Sequence, residues 1–418
     1  MVFIQGNLAA SKSPDSGPGL LLITTIAFLT LVDLFAAQAI LPSLVTKFEV
    51  SRATMGFAVN ASTLGMAAAG LLVALLAPAI DRRKGIWVSL AILSVPTTLL
   101  ALTDNIVVFA LLRIVQGLCM ATAFTLTMAF LAETLAATAV ANALAAYVTG
   151  NVASNLFGRI FSAGVADVAG IEGNFLAFAI LNLAGAYLAF KTVRGGRRTS
   201  APHVGVMMRG WRGHLANRPL RRVFAIGFLI LFVFLGAFTY VNFRLVEPPF
   251  SLSPMALGLV YLVFAPSMLT TPIAGRYAGW LGVEKSIVLA LMLAILGLLS
   301  LLSTHVVVAL AGLAAVAVGT FLAQAIATGQ IGRLAATETS SASGIYLASY
   351  YLGGLIGSLV LGQVFDKFGW AATIATLVVA LSGAICLARN LATPSTMTSP
   401  HEIASQSALS KRASVSHS

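Results

Sequence analysis

Apolar positions dominate this chain in long runs separated by short polar breaks. A run of about 20 apolar residues is enough for a helix across ~30 Å of hydrocarbon. Cutting the sequence at that length gives twelve runs, centred near Asp33, Gly65, Val95, Met120, Ser154, Leu181, Phe234, Pro266, Leu293, Val318, Gly353 and Val379. The one long polar insert, residues 193–220, leaves six runs on each side. This predicts an N-terminal segment (1–19), a six-helix bundle (20–192), a basic linker with a short surface helix (193–220), a second six-helix bundle (221–391) and a Ser- and Thr-rich disordered tail (392–418). The opening segment is polar and lacks a basic stretch leading to a small-residue cleavage site, so the first helix is retained and is not a signal peptide.

Composition fixes the class: 59% of residues are hydrophobic and only 9% charged, with a mean hydropathy of +0.96. The expected fold is an all-α, twelve-helix membrane protein, a monomer embedded in a lipid bilayer. Cys119 and Cys386 both fall inside apolar runs and read as packing residues, not a disulfide framework.

The formal net charge of +12 is distributed unevenly. Of the 25 Lys and Arg residues, Arg113 and Arg159 lie inside helices, and Lys47, Arg52, Arg244 and Lys367 fall on the side opposite the termini. The remaining nineteen, among them Arg82, Arg83, Lys84, Arg197 and Arg198, lie on the side of the termini. Such a bias places both termini in the cytoplasm of a bacterial inner membrane. It assigns the basic charge to loops facing anionic lipid and excludes a nucleic-acid partner.

The two halves read as copies. A shift of 199 residues sets Tyr147, Gly158, Asp167 and Gly170 on Tyr346, Gly357, Asp366 and Gly369, pairing the fifth helix with the eleventh. The second and eighth helices also begin alike, after Ser51 and Ser253, each a plausible N-cap. A six-helix repeat implies two facing bundles that rock about a midplane site.

Candidate chemistry follows from the few charges inside the helices: Asp33 in the first, Arg113 in the fourth and Arg159 in the fifth. A charge at the bilayer centre costs at least ~2.5 kcal/mol on insertion scales, which makes each a functional candidate. Arg113 and Arg159 sit about 10 and 12 Å below the outer ends of their helices, and Asp33 roughly 14–18 Å below its own. All three are therefore expected to meet in one net-positive cavity. Burial and a neighbouring guanidinium act on such an acid in opposite senses, which suits a group that takes up and releases a proton. Gln116 shares the face of Arg113, and Tyr147, Asn151, Asn155, Arg159 and Ser162 draw a polar stripe that cannot face lipid. In the second half Tyr240, Asn242, Gln324, Tyr346 and Tyr350 are substrate-contact candidates, as are Tyr261, Thr320 and Thr328, although such a residue taken singly more often serves packing. Asp81 and Arg82, in the short turn after the second helix, are gating candidates, with Asp81 expected against the N-terminus of the eleventh helix.

Twelve helices, the basic central loop, Arg113-Ile114-Val115-Gln116-Gly117 and the Asp81-Arg82-Arg83-Lys84-Gly85 turn together resemble the major facilitator superfamily over about residues 20–389. Ala77 and Lys84 replace two glycines of the family's turn, and Gly275–Gly282 resembles its degenerate second copy, with Gly279 in place of the acid. The acid in the first helix and the arginine in the fourth resemble the drug:proton antiporters and sugar-efflux-like relatives. That resemblance implies that Asp33 accepts the proton and Arg113 couples to it. The fifth helix lacks the proline of the antiporter motif.

No Gly-Lys dipeptide, His-Glu-x-x-His, Cys-x-x-Cys or Gly-x-Ser-x-Gly occurs, so neither a P-loop nor an enzyme motif is present. The expected protein is a secondary active transporter with no cofactor, metal or catalytic residue, exchanging protons for a small drug-like, aromatic or sugar-like solute that it exports. A proton symporter importing its solute is the alternative within that class. A non-transporting sensor or assembly factor on the same fold is the alternative outside it.

Overall fold

The computed structural model describes residues 19–76, 80–135, 137–193, 204–335 and 339–391. The N-terminal segment up to residue 18, the C-terminal tail, Ala77 and residues 194–203 of the basic linker stretch, with Arg194, Arg197 and Arg198, lie outside the described residues. Among the described residues all regular structure is helical, and ten continuous stretches are long and apolar enough to span a bilayer. Two of these are double. Ala137–Thr192 turns at Gly170 (φ 70°, ψ −173°) and Thr339–Arg389 turns at Gly369 (φ 78°, ψ −171°), so the ten stretches make twelve spans.

The first four spans are Leu20–Ala39, then Arg52–Asn60 with Ser62–Leu76, then Arg82–Leu102, then Ile106–Thr134. The fifth and sixth occupy 137–169 and 171–192. After a surface helix, Val204–Ala216, the seventh is Arg218–Val246, so it starts within the stretch expected to be linker. The eighth is Pro254–Leu281, the ninth Val283–Ser300, the tenth Val306–Leu334, and the last two occupy 339–368 and 370–389. The end of the molecule bearing the surface helix is called here the linker end and the opposite one the far end.

The span starts are written in the sequence. Ser51 Oγ accepts from the Thr54 amide at 3.1 Å and Ser253 Oγ from the Ala256 amide at 3.3 Å, so both N-caps of the repeat form. Asn105 and Asn217 cap the fourth and seventh spans in the same way. Asp81 does likewise: its Oδ1 accepts from the Lys84 amide at 2.9 Å, capping the third span. A carboxylate one residue before a helix is placed to reach that helix's own amides.

Small residues set the packing. A methyl group on Gly117 would lie 1.8 Å from the Ser62 carbonyl oxygen, so the second and fourth spans touch backbone to backbone. The repeat recurs in these contacts: Gly158 of the fifth span rests on Val32 of the first, and Gly357 of the eleventh on Phe232 of the seventh. Large apolar side chains such as Leu111, Ile180, Leu296 and Val307 remain exposed, forming a surface suited to lipid. The eighth span is the irregular one. Pro266 and Pro272 interrupt its ladder, and 3₁₀ turns at Tyr261–Phe264 and Thr271–Ile273 tighten it.

The bundles meet at the far end through polar and small-residue contacts. Arg52 Nη2 lies 2.5 Å from Glu247 Oε1, the Ala53 amide donates to Asp366 Oδ2 at 3.1 Å, and Gly56 and Gly362 make room for the Tyr240 hydroxyl. Deeper, Asn60 Nδ2 donates to Thr239 Oγ1 at 3.0 Å and Asn242 Nδ2 to the Gln38 carbonyl at 3.1 Å. The far end is closed in this structure.

Candidate functional site

Asp33 sits in the first span, 4% exposed, and its carboxylate is surrounded by neutral donors. Asn182 Nδ2 of the sixth span donates to Oδ2 at 2.6 Å, Thr97 Oγ1 of the third reaches it at 3.0 Å, and Gln116 Nε2 of the fourth stands at 3.5 Å. Arg113 approaches but does not form an ion pair with this carboxylate. Its five N–H groups all have acceptors: Nε donates to Val59 O (2.9 Å), Nη1 to Asp33 O (3.2 Å) and Gln116 Oε1 (2.7 Å), and Nη2 to Leu34 O (3.2 Å) and Ser62 Oγ (3.2 Å). Gln116 thus bridges the two, accepting from Arg113 on one side and donating to Thr97 at 2.7 Å on the other. The expected neighbours do meet, but through a shared amide.

Arg159 does not join them. Though fully buried, it lies at the junction of the two bundles, where its Nη2 donates to Gln38 Oε1 and its Nε and Nη1 have no acceptor. Four rings surround it instead: Tyr261 at 4.2 Å from the guanidinium carbon, Phe35 and Phe264 at 5.2 Å, and Phe238 at 5.7 Å. Cation–π contact returns about 0.5–2 kcal/mol, against about 1–3 kcal/mol or more for a buried donor left unpaired. Four rings and two donors make the sums comparable, so the rings can hold the charge while the two donors remain without acceptors. Depth along each helix brought Arg113 and Arg159 to one level, but the two face different neighbours around the bundle axis.

The remaining candidates divide into two groups. Asn242 accepts from the Tyr261 hydroxyl at 2.5 Å and binds Gln38, closing a chain from Arg159 through Gln38, Asn60 and Thr239 across the bundles. Asn155, one turn from Arg159, has an unpartnered amide oxygen, and Asn151 is half-buried on the same face. Tyr240 donates to Ser358 O at 2.6 Å and fills the far-end contact. Further toward the linker end, Tyr346 donates to Gln324 Oε1 at 2.8 Å and stacks on Tyr350, while Thr328 stands 3.3 Å from the Tyr346 hydroxyl. Thr320 bonds only Val316 and Ala317 of its own helix. Arg82 clasps Glu133 at the end of the fourth span, 2.7 Å from Nη2 to Oε1, bracing one bundle internally.

Four residues with central positions were not singled out from the sequence: Gln38, Asn60, Thr97 and Asn182. Each is a neutral polar group in an apolar span, the same signal that drew attention to Asn151 and Asn155.

A membrane-transport family model, described as Major Facilitator Superfamily, matches residues 23–358. The chain belongs to the major facilitator superfamily. Membership makes it a multi-pass membrane transporter and not an enzyme. Among relatives of this major facilitator protein, an uncharacterized transporter of Buchnera aphidicola subsp. Schizaphis graminum is 26% identical over 360 residues, covering 86% of this chain and 87% of its own. The uncharacterized MFS-type transporter YybF of Bacillus subtilis is 24% identical, with coverage of 87% and 91%. The inner membrane transport protein YnfM of Escherichia coli is 26% identical, covering 82% of each chain. A bacterial homolog to the human lysosomal transporter Spinster, solved in an inward-facing and occupied conformation, superposes with a TM-score of 0.71 at 16% identity, covering 89% of this chain and 96% of its own. A mutant of the nucleoside transporter NupG gives 0.71 at 14%, covering 90% and 100%. Both superpositions show a shared overall fold.

Proposed function

We propose that this transporter is a proton-coupled antiporter that exports a small organic solute from the bacterial cytoplasm by alternating access, its linker end facing the cytoplasm. The observation that carries the reading is the setting of Asp33. Thr97 has one hydroxyl hydrogen and two acceptors in reach, Asp33 Oδ2 at 3.0 Å and Leu93 O at 2.8 Å. With Asp33 ionised, the hydroxyl donates to the carboxylate. With Asp33 protonated, the Thr97 hydrogen turns to Leu93, and the acid can donate to Thr97 Oγ1 once Asn182 Nδ2, which also reaches that oxygen at 3.1 Å, gives it up. A rotating hydroxyl and one yielding amide bond together serve both protonation states. Arg113, fully hydrogen-bonded one amide away, supplies a fixed positive charge beside the acid.

The positive bias of the loops supports the orientation, and the closed far end then corresponds to a state shut to the outside. Everted vesicles expose the linker end and test coupling and direction together. Adding an exported solute should dissipate a respiratory proton gradient, whereas an importing symporter would leave it unchanged. Asp33→Asn should abolish that proton movement at normal membrane levels, Arg113→Ala should do comparable damage, and Lys84→Ala should not. Coupling that survives in Asp33→Asn would remove the acid from the mechanism.

A further inference from the structure

Arg113 and Arg159 are both buried arginines, yet only one is satisfied. Arg113 has an acceptor for each N–H, while Arg159 Nε and Nη1 have none. Nη2 of Arg159 carries two hydrogens and Gln38 takes one. Whichever hydrogen that is, one two-pronged edge of the guanidinium stays open, either Nε with Nη2 or Nη1 with Nη2. A charged fork kept buried and half-used is out of place as a brace, because Arg113 of the same bundle shows how completely a buried arginine can be served.

We propose that Arg159 is the anchor for the carboxylate of an organic-anion substrate whose flat apolar body lies among Phe35, Phe238, Tyr261 and Phe264. This deepens the transporter reading and rests on it. The fork matches a carboxylate geometrically, two parallel N–H groups to two oxygens. Phosphate fits less well, because its further oxygens would face phenyl rings with no donor. The box also straddles the bundles: Arg159 and Phe35 belong to the first, and Phe238, Tyr261 and Phe264 to the second. A ligand there is gripped from both sides, as a midplane site in a rocking transporter requires. One turn along the fifth span, the unpartnered Asn155 amide oxygen offers an acceptor for a hydroxyl or amine on the same substrate.

The test is ligand-induced thermal stabilisation of the purified full-length chain, with no pH gradient. Benzoate, phenylacetate and 3-phenylpropionate are each compared with their primary amides and with phenylphosphonate. At least one carboxylate should stabilise the protein at a concentration tenfold or more below its amide and below the phosphonate. Arg159→Gln should erase that preference, and Arg159→Lys should keep it in weakened form. Ligand-free Arg159→Gln should unfold no lower than the parent, since the new amide can still donate to Gln38 and the other donors it removes have no acceptor. Equal binding of amides, no stabilisation by any carboxylate, an undiminished preference in Arg159→Gln, or a marked fall in its ligand-free stability would each overturn the proposal. Proton movement driven by a neutral solute, without carboxylate binding, would sink this site and leave coupling standing. Carboxylate binding with coupling intact in Asp33→Asn would do the reverse.

Discussion

At the scale of single residues, the proposed proton site at Asp33 turns on the direction of the Thr97 hydroxyl, which makes Thr97 the sharpest point to probe. Thr97→Val keeps the volume and removes the hydroxyl, leaving Asn182 and a distant Gln116 as donors. A hydrogen bond to a charged group is worth about 1.5–3 kcal/mol, so substrate-driven proton movement should fall by roughly tenfold to a hundredfold, with Thr97→Ser restoring most of it. Vesicle assays at matched membrane levels read the difference, and a Val variant as active as the parent would rule out the hydroxyl as the switch. Asp33 and Arg113 were legible in the sequence because charge inside an apolar run is rare and costly. Thr97, Gln38, Asn60 and Asn182 were not, because a neutral polar residue in a span more often serves local packing. Only three-dimensional convergence, of the first, third, fourth and sixth spans at Asp33 and of the first, second, fifth and seventh at Gln38, separates these from a threonine such as Thr320, which bonds its own helix.

At the scale of elements, helix count and repeat were readable from run length and from a single offset, since both depend on periodicities along the chain. The turns at Gly170 and Gly369 show how far that goes: the repeat pairs them, and both adopt a conformation with positive φ and extended ψ that is essentially restricted to glycine. The tightening of the eighth span was missed, although Pro266 and Pro272 mark it, because nothing local says which side chain such a distortion will aim inward. Tyr261, facing Arg159, is the result. Gly369 isolates the backbone effect, since nothing lies within 4 Å of where a methyl group would sit. Gly369→Ala should therefore cost about 1–3 kcal/mol through strain alone. Gly279→Ala, equally open but within a helix, should be neutral or slightly stabilising. Unfolding in detergent compares the two, and equal stabilities would show that the turn between the last two spans tolerates a side chain.

At the scale of the whole molecule, magnitudes decide what holds the far end shut. The Arg52–Glu247 pair is about two-fifths exposed on both sides, and such pairs contribute about 0–1 kcal/mol. Asp366 at the N-terminus of the second span adds about 0.3–1 kcal/mol. Removing both should raise the population of the open state only several-fold. The closer constraint is steric: Gly362 presses within 2.3 Å of the Tyr240 hydroxyl oxygen and 2.8 Å of Ala53, measured from where a methyl group would stand, so the bundles can meet only if that position stays bare. Gly362→Val should act as a wedge that holds the far end open and stops transport, whereas Arg52→Ala with Asp366→Asn should leave transport measurable. Thr239→Cys, placed behind the closure in a chain with Cys119 and Cys386 replaced, reports the difference through an impermeant maleimide supplied from the far side. Labelling should be slow in the parent, several-fold faster without the charges and fastest with the wedge. If removing the charges opens the far end as fully as Gly362→Val does, the closure is electrostatic and the glycine contact only follows it.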